Sequence, residues 1–109
     1  MAKAIGCYSK FRVKDDCDLE EVLAAGRKAF AESLTHEGNV YFEMSQSLED
    51  ERVIVINDSW ANADAFNGHM AQPGNQAWME ILGSKTEPVM TPLMYEYEQQ
   101  LEEFLPGVF

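Results

Sequence analysis

Basic residues are scarce in this sequence: 8 lysines and arginines stand against 19 aspartates and glutamates, for a formal charge of -11 at pH 7. Such a surface repels phosphate backbones and anionic headgroups, so nucleic acid and membrane surfaces are not expected partners. The few cations crowd the start, at Lys3, Lys10, Arg12 and Lys14, where solvated strand positions account for them. Cysteine is limited to Cys7 and Cys17, too few for a disulfide framework, and a reducing, cytoplasmic compartment is expected. No apolar run approaches the ~18 residues of a membrane span. The first residues carry one lysine and no apolar core, so no signal peptide is expected. A glycine-rich phosphate loop is missing, which leaves nucleotide cofactors without sequence support. His36 and His69 stand far apart with no cysteine cluster beside them, so they form no recognisable metal-ligand set.

What is present is an ordinary globular composition, 46% apolar over 109 residues, sufficient for one domain and one core. We read residues 1–109 as that single domain, with a C-terminal tail at about 99–109 apolar enough to dock.

Ala4 to Val13 alternates as a strand, with Ile5, Cys7, Phe11 and Val13 on one side. Asp18 then sits as the N-cap of a helix, with Glu21 at capping-box spacing. Leu19, Val22, Leu23, Phe30 and Leu34 follow helical periodicity to about Leu34, and Gly26 falls on the same face. A turn at Glu37-Gly38-Asn39 leads into a strand from Val40 to Gln46, with Val40, Phe42 and Met44 on one face. The next strand, Arg52 to Trp60, carries a Val-Ile-Val-Ile run that suits a central position buried on both faces. Asn62 is placed to cap a short helix with Phe66, His69 and Met70 inward. Pro73-Gly74 breaks that helix, and Asn75 is expected to cap another that ends at Gly83. Pro88 and Pro92 keep the chain irregular until a last strand at Leu93 to Glu98.

Strand, helix, strand, strand, helix pair, strand is the order of a ferredoxin-like α+β fold, a split βαβ with an antiparallel sheet and helices on one face. The other face, carrying residues such as Tyr95 and Tyr97, or Met94 on the opposite parity, needs a cover, and a second copy of the chain is the simplest one. A homodimer packed sheet to sheet is expected.

One constellation looks like more than packing. Asp58 and Trp60 share a strand face, and a histidine, His69, lies on the helix that follows. A histidine titrates near neutrality, so His69 beside Asp58 suits a general base whose tautomer the carboxylate holds. Trp60, Phe66, Met70 and Trp78 are candidates for an apolar substrate wall, although tryptophans such as Trp60 and Trp78 are more often core than site. The plain alternative is a structural Asp58–His69 hydrogen bond pinning helix to sheet. His36 follows a helix C-terminus, where a cation is favoured, and needs no catalytic role.

Glu37-Gly38-Asn39-Val40-Tyr41, the strand ending Asp58-x-Trp60, and Ala65-Phe66-x-x-His69 together resemble the antibiotic biosynthesis monooxygenase superfamily. The resemblance implies a dimeric α+β barrel, and it covers the central third closely and almost the whole chain in element order. Its members are similar to cofactor-free quinol or anthrone oxygenases, haem-degrading oxygenases, a signal isomerase, and proteins without known chemistry. This chain departs from the pattern at several points. Asp58 stands where the family usually has glutamate, Phe66 where anthrone-type members have tyrosine, and Ile56 where they have asparagine. His69 and Met79 replace the tryptophan and iron-ligating histidine of haem-degrading members, which speaks against haem. Gly74 takes the place of a second histidine found in some isomerising members.

The resemblance therefore implies a cofactor-independent monooxygenase of a small aromatic quinol or polyphenol, deprotonated by His69. Two other classes stay open: a non-catalytic or stress-associated dimer binding a small ligand, and an isomerase of a small keto compound on the same fold.

Overall fold

Strand β1 (Ala4–Val13) runs through the middle of the molecule, because β3 (Val53–Trp60) pairs along one of its edges and two later strands share the other. The computed structural model describes residues 3–98 and Gly107, so the expected docking of the tail lies outside the described residues. Between β1 and β3 come helix α1 (Leu19–Ser33) and strand β2 (Asn39–Gln46). After β3 follow α2 (Ala63–Ala71), α3 (Pro73–Lys85), β4 (Thr86–Pro88) and β5 (Leu93–Tyr97). All the strand pairs are antiparallel, in the order β2-β3-β1-β4 with β5 also on β1. The fold is α+β, with the ferredoxin-like split βαβ topology expected from the element order.

Local chemistry sets the elements. Asp18 accepts the Glu21 N–H at 3.3 Å and starts α1. Gly26 lets α1 close on its neighbours, since a Cβ there would sit 3.2 Å from the Trp78 ring and 3.5 Å from the Met44 sulfur. Alternation along β3 buries Ile54, Ile56, Asp58 and Trp60 together. The two isoleucines and Trp60 join Val13, Val22, Ala29, Phe42, Trp78 and Leu82 as the core between sheet and helices. Its opposite face is only half covered at Val53 and Val55, so the Val-Ile-Val-Ile run is buried fully on one side.

Four local expectations need correction. Val40 does not share the inner face of Phe42: the pairing shifts register between Asn39 and Tyr41, and this irregularity leaves Val40 exposed. Asn75 does not cap α3. Proline fits the first turn of a helix because the N–H it lacks would be unbonded there, and α3 begins at Pro73. Asn75 is instead buried, its amide directed at the Met70 sulfur at 3.6 Å. Gly83 does not end the helix, which continues to Lys85. Finally, the stretch before Pro92 is not all irregular, since Thr86–Pro88 forms a short edge strand on β1 where proline's missing donor costs little.

Arg12, in the basic strip at the start, is engaged by Asp50 at 2.9 Å and Asp15 at 3.0 Å. On the outer sheet face Tyr95 lies over Gly6, which has no side chain to lift the ring. Tyr41 donates to Asn57 Oδ1 at 3.0 Å, and the Tyr97 hydroxyl meets Ser59 Oγ.

Candidate functional site

Asn62 Oδ1 accepts the Ala65 N–H at 2.8 Å and fixes where α2 begins. One helical turn further, that start directs His69 toward the sheet, and only 4% of the residue stays exposed. Trp60, fully buried at the end of β3, stacks on the imidazole with ring centroids 4.2 Å apart and an interplanar angle of 21°.

The polar partners differ from those expected. Asp58 Oδ2 accepts the indole N–H of Trp60 at 2.7 Å, so the carboxylate holds the tryptophan and not the histidine. His69 Nδ1 instead meets Nδ1 of His36, 2.8 Å away. His36 comes from the turn after α1, and Gly38 brings that turn in: its φ is +77°, and a Cβ there would overlap Ala65 Cβ at 2.3 Å. Sequence spacing does not reveal this histidine pair, because its members lie 33 residues apart and meet through the turn.

An apolar cavity of about 170 Å³ lies between the sheet and helices α2 and α3. Asp58, Phe66, His69, Met70 and Trp78 all line it, with Cys7 and Asn75. Trp60 does not line it; it stands behind His69, as part of the core. The rim is formed by Met79, Leu93 and Met94, all exposed. A second cavity of about 220 Å³ between α1 and β2 is walled by Leu23, Phe30, Met44, Ile54 and Trp78, and Arg27 is its one ionisable group. A polar cleft of about 390 Å³ runs along the other side of α2, lined by His36, Glu37, Asp64 and Gln72 among others.

Burial sets the charges of the site. It pushes His69 down to about 4, with help from His36, so His69 is neutral at pH 7. It pushes Asp58 up, against the hydrogen bond from Trp60 that favours the carboxylate. Burial first, and then Asp58, raise the Cys7 thiol to about 12, which leaves it protonated and no nucleophile. With Nδ1 engaged by His36, Nε2 is the His69 nitrogen left to accept a proton whenever the proton shared by the two rings sits on His69 Nδ1. Among the described residues, no three His, Cys, Asp or Glu side chains are grouped to hold a metal ion, and no helix is long and apolar enough to cross a membrane.

The depressed His69 value has a consequence for stability. Unfolded histidine titrates near ~6.5 and the folded site near 4, so on acidification the unfolded chain takes this proton first. The stability contributed by neutral His69 is complete above about pH 6.5. It drains away as the pH falls toward 4, amounting to about 2 kcal/mol lost by pH 5. Asp58, raised, works in the opposite sense, since the folded state holds its proton more firmly. Urea unfolding at pH 7 and pH 5 is expected to show a steeper acid loss for the wild type than for His69→Gln; equal losses would show that His69 carries no such linkage.

The family model for antibiotic biosynthesis monooxygenases matches residues 5–81. The chain belongs to the antibiotic biosynthesis monooxygenase family. Membership brings a monooxygenase type of function and a small-molecule substrate, and the matched segment contains His36, Asp58, Trp60, His69 and Trp78. Solved structures share the fold. A conserved protein of unknown function from Bacteroides thetaiotaomicron, described as a possible oxidoreductase, is 21% identical, with a TM-score of 0.78 over 89% of this chain and 100% of its own. A cofactor-independent oxygenase, SnoaB from Streptomyces nogalater, is 19% identical, with a TM-score of 0.74 over 92% of this chain and 98% of its own. A conserved protein from Methanosarcina mazei is 18% identical, with a TM-score of 0.77 over 88% and 94%. No curated protein matches the chain.

Proposed function

We propose that this antibiotic biosynthesis monooxygenase family member is a cofactor-independent monooxygenase of a small aromatic quinol or polyphenol, with His69 as the base. The observation that carries this reading is a neutral imidazole, held by Trp60 and His36, with a free Nε2 on the wall of an apolar cavity. Nε2 takes a proton from an acidic C–H or O–H of the substrate. The electron-rich anion left behind passes its electrons to O₂, the two join as a peroxide, and loss of water leaves a carbonyl. One oxygen atom enters the product and the other leaves as water, so the substrate supplies all the electrons and no external reductant is needed. Asp58, with one oxygen occupied by Trp60, keeps the other to accept a substrate hydroxyl. Phe66, Met70 and Trp78 supply the dry walls.

The volume narrows the substrate. About 170 Å³ compares with the roughly 150 Å³ of an apolar cavity that accepts benzene, so one ring fits inside. Oxygen electrode measurements over a panel of single-ring quinols test the reading. We expect uptake by a colourless protein with no flavin or haem absorbance; no uptake with any of them would reject it. An isomerase of a keto compound is the second reading, favoured by the free oxygen of Asp58 near the same base, and it would convert substrate without consuming oxygen.

We also propose that the chain works as a homodimer closed over the outer sheet face, where Tyr41 and Tyr95 are exposed. The unpaired Cys7 and Cys17 suit a cytoplasmic setting. Sedimentation at micromolar concentration should give about twice the chain mass, and a folded monomer would defeat the dimer.

A further inference from the structure

The two histidines join spaces that the fold otherwise keeps apart. His69 stands on the wall of the apolar cavity, where Asp58 from β3 and Cys7 and Tyr8 from β1 are the other ionisable groups. His36 stands on the wall of the polar cleft, with Glu37 from its own turn and Asp64 from α2. Neither histidine lines both spaces, and the link between them is the 2.8 Å contact of the two Nδ1 atoms. At that distance the nitrogens share one proton, since two bare lone pairs or two N–H groups would repel.

We propose that His36 is the outlet for the proton that His69 abstracts, carrying it from the apolar cavity to water in the polar cleft. This rests on His69 being the base. For Nε2 of His69 to accept, its Nδ1 must already hold the shared proton and donate it to bare Nδ1 of His36. When the substrate proton arrives at Nε2, the shared proton crosses to His36 Nδ1, and His36 releases its other ring proton to water. One proton enters and one leaves, no electrons move, and both imidazoles end neutral with their tautomers switched. The cycle resets when the Nε2 proton of His69 passes to the peroxide oxygen, the shared proton returns, and water reprotonates His36. Burial explains the need for an outlet: His69 at about 4 is a poor place to keep a positive charge, and half-buried His36 borders water-accessible polar space.

Two measurements test this, and the first needs no substrate. Spectra of ¹⁵N-histidine-labelled protein at pH 7, assigned with His36→Gln and His69→Gln, should show a protonated Nδ1 on His69 and a bare Nδ1 on His36 with a coupling between them. Two bare Nδ1 atoms, or a shared proton resting on His36, would overturn the outlet. The second uses oxygen uptake on an accepted quinol. His36→Ala should fall at least about tenfold, and added imidazole should restore uptake, with rescue depending on the pKa of the imidazole used. His36→Gln can still accept the His69 hydrogen bond, so it should melt near the wild type and still turn over slowly. Full uptake by folded His36→Gln, or no rescue of folded His36→Ala, would overturn the proposal. Absence of uptake in the wild type would instead reject the oxygenase reading and leave the shared proton to the spectra.

Discussion

Replacing His69 by glutamine is expected to leave a folded protein whose oxygen uptake on an accepted quinol is lower by about 100-fold or more. Glutamine keeps much of the length of histidine and an amide that can still bond His36, but it cannot take a proton. It also loses the ring that stacks on Trp60, so a small drop in melting temperature should accompany the loss of turnover. If His69 were only a strut, the balance would reverse: uptake would persist and stability would fall by perhaps ~1–3 kcal/mol for the polar group left unpaired. Thermal unfolding measured beside oxygen uptake therefore separates the two roles. Full uptake in the folded variant would remove the base. Asp58→Asn need not follow His69→Gln, because Asp58 bonds Trp60 and His69 bonds His36. A neutral asparagine can still accept the indole N–H while relieving the burial that disfavours the carboxylate. It should be at least as stable as the wild type at pH 7.

The largest loss of stability is expected at Trp60. Its side chain is completely buried, stacks on His69 and donates to Asp58. Trp60→Ala opens a cavity the size of an indole and should cost about 3–5 kcal/mol. It also strips Asp58 of its donor, leaving a buried carboxyl with one partner fewer. Trp60→Phe separates these contributions, since it keeps a ring against His69 and removes only the N–H. It should cost about 1–3 kcal/mol, and that cost should shrink under acid conditions that protonate Asp58. Urea unfolding of the two variants at pH 7 and pH 5 checks both numbers. A Trp60→Phe protein as stable as the wild type at pH 7 would mean that the Asp58 bond contributes nothing.

Much of this architecture is legible in the chain because it follows from short-range rules. The cap at Asp18, the cap at Asn62 and the alternation of Ile54, Ile56, Asp58 and Trp60 each depend on residues within one turn or one strand. The Asp58–Trp60 bond was within reach too, since residues two apart share a strand face and an indole is long enough to turn back on its neighbour. The start of α3 is harder to read because Asn75 looks like a cap, whereas Pro73 already satisfies the needs of a first turn. His36 was invisible for a different reason. Periodicity says which face a residue takes, but not which distant residue it meets. That meeting depends on a turn tight enough for Gly38 to touch Ala65.

The turn also gives the histidine pair a recognisable spelling in the sequence. His36 is followed two positions on by a glycine at positive φ, and Ala65 is followed four positions on by His69. A side chain at either small position would push the turn away from α2 and part the rings. His-x-Gly ahead of the second strand, with Ala-x-x-x-His after the third, is thus the pattern that the packing of the paired site requires. A lineage that exchanged the glycine or the alanine for something bulkier would be expected to drift at both histidines together, whatever its remaining similarity.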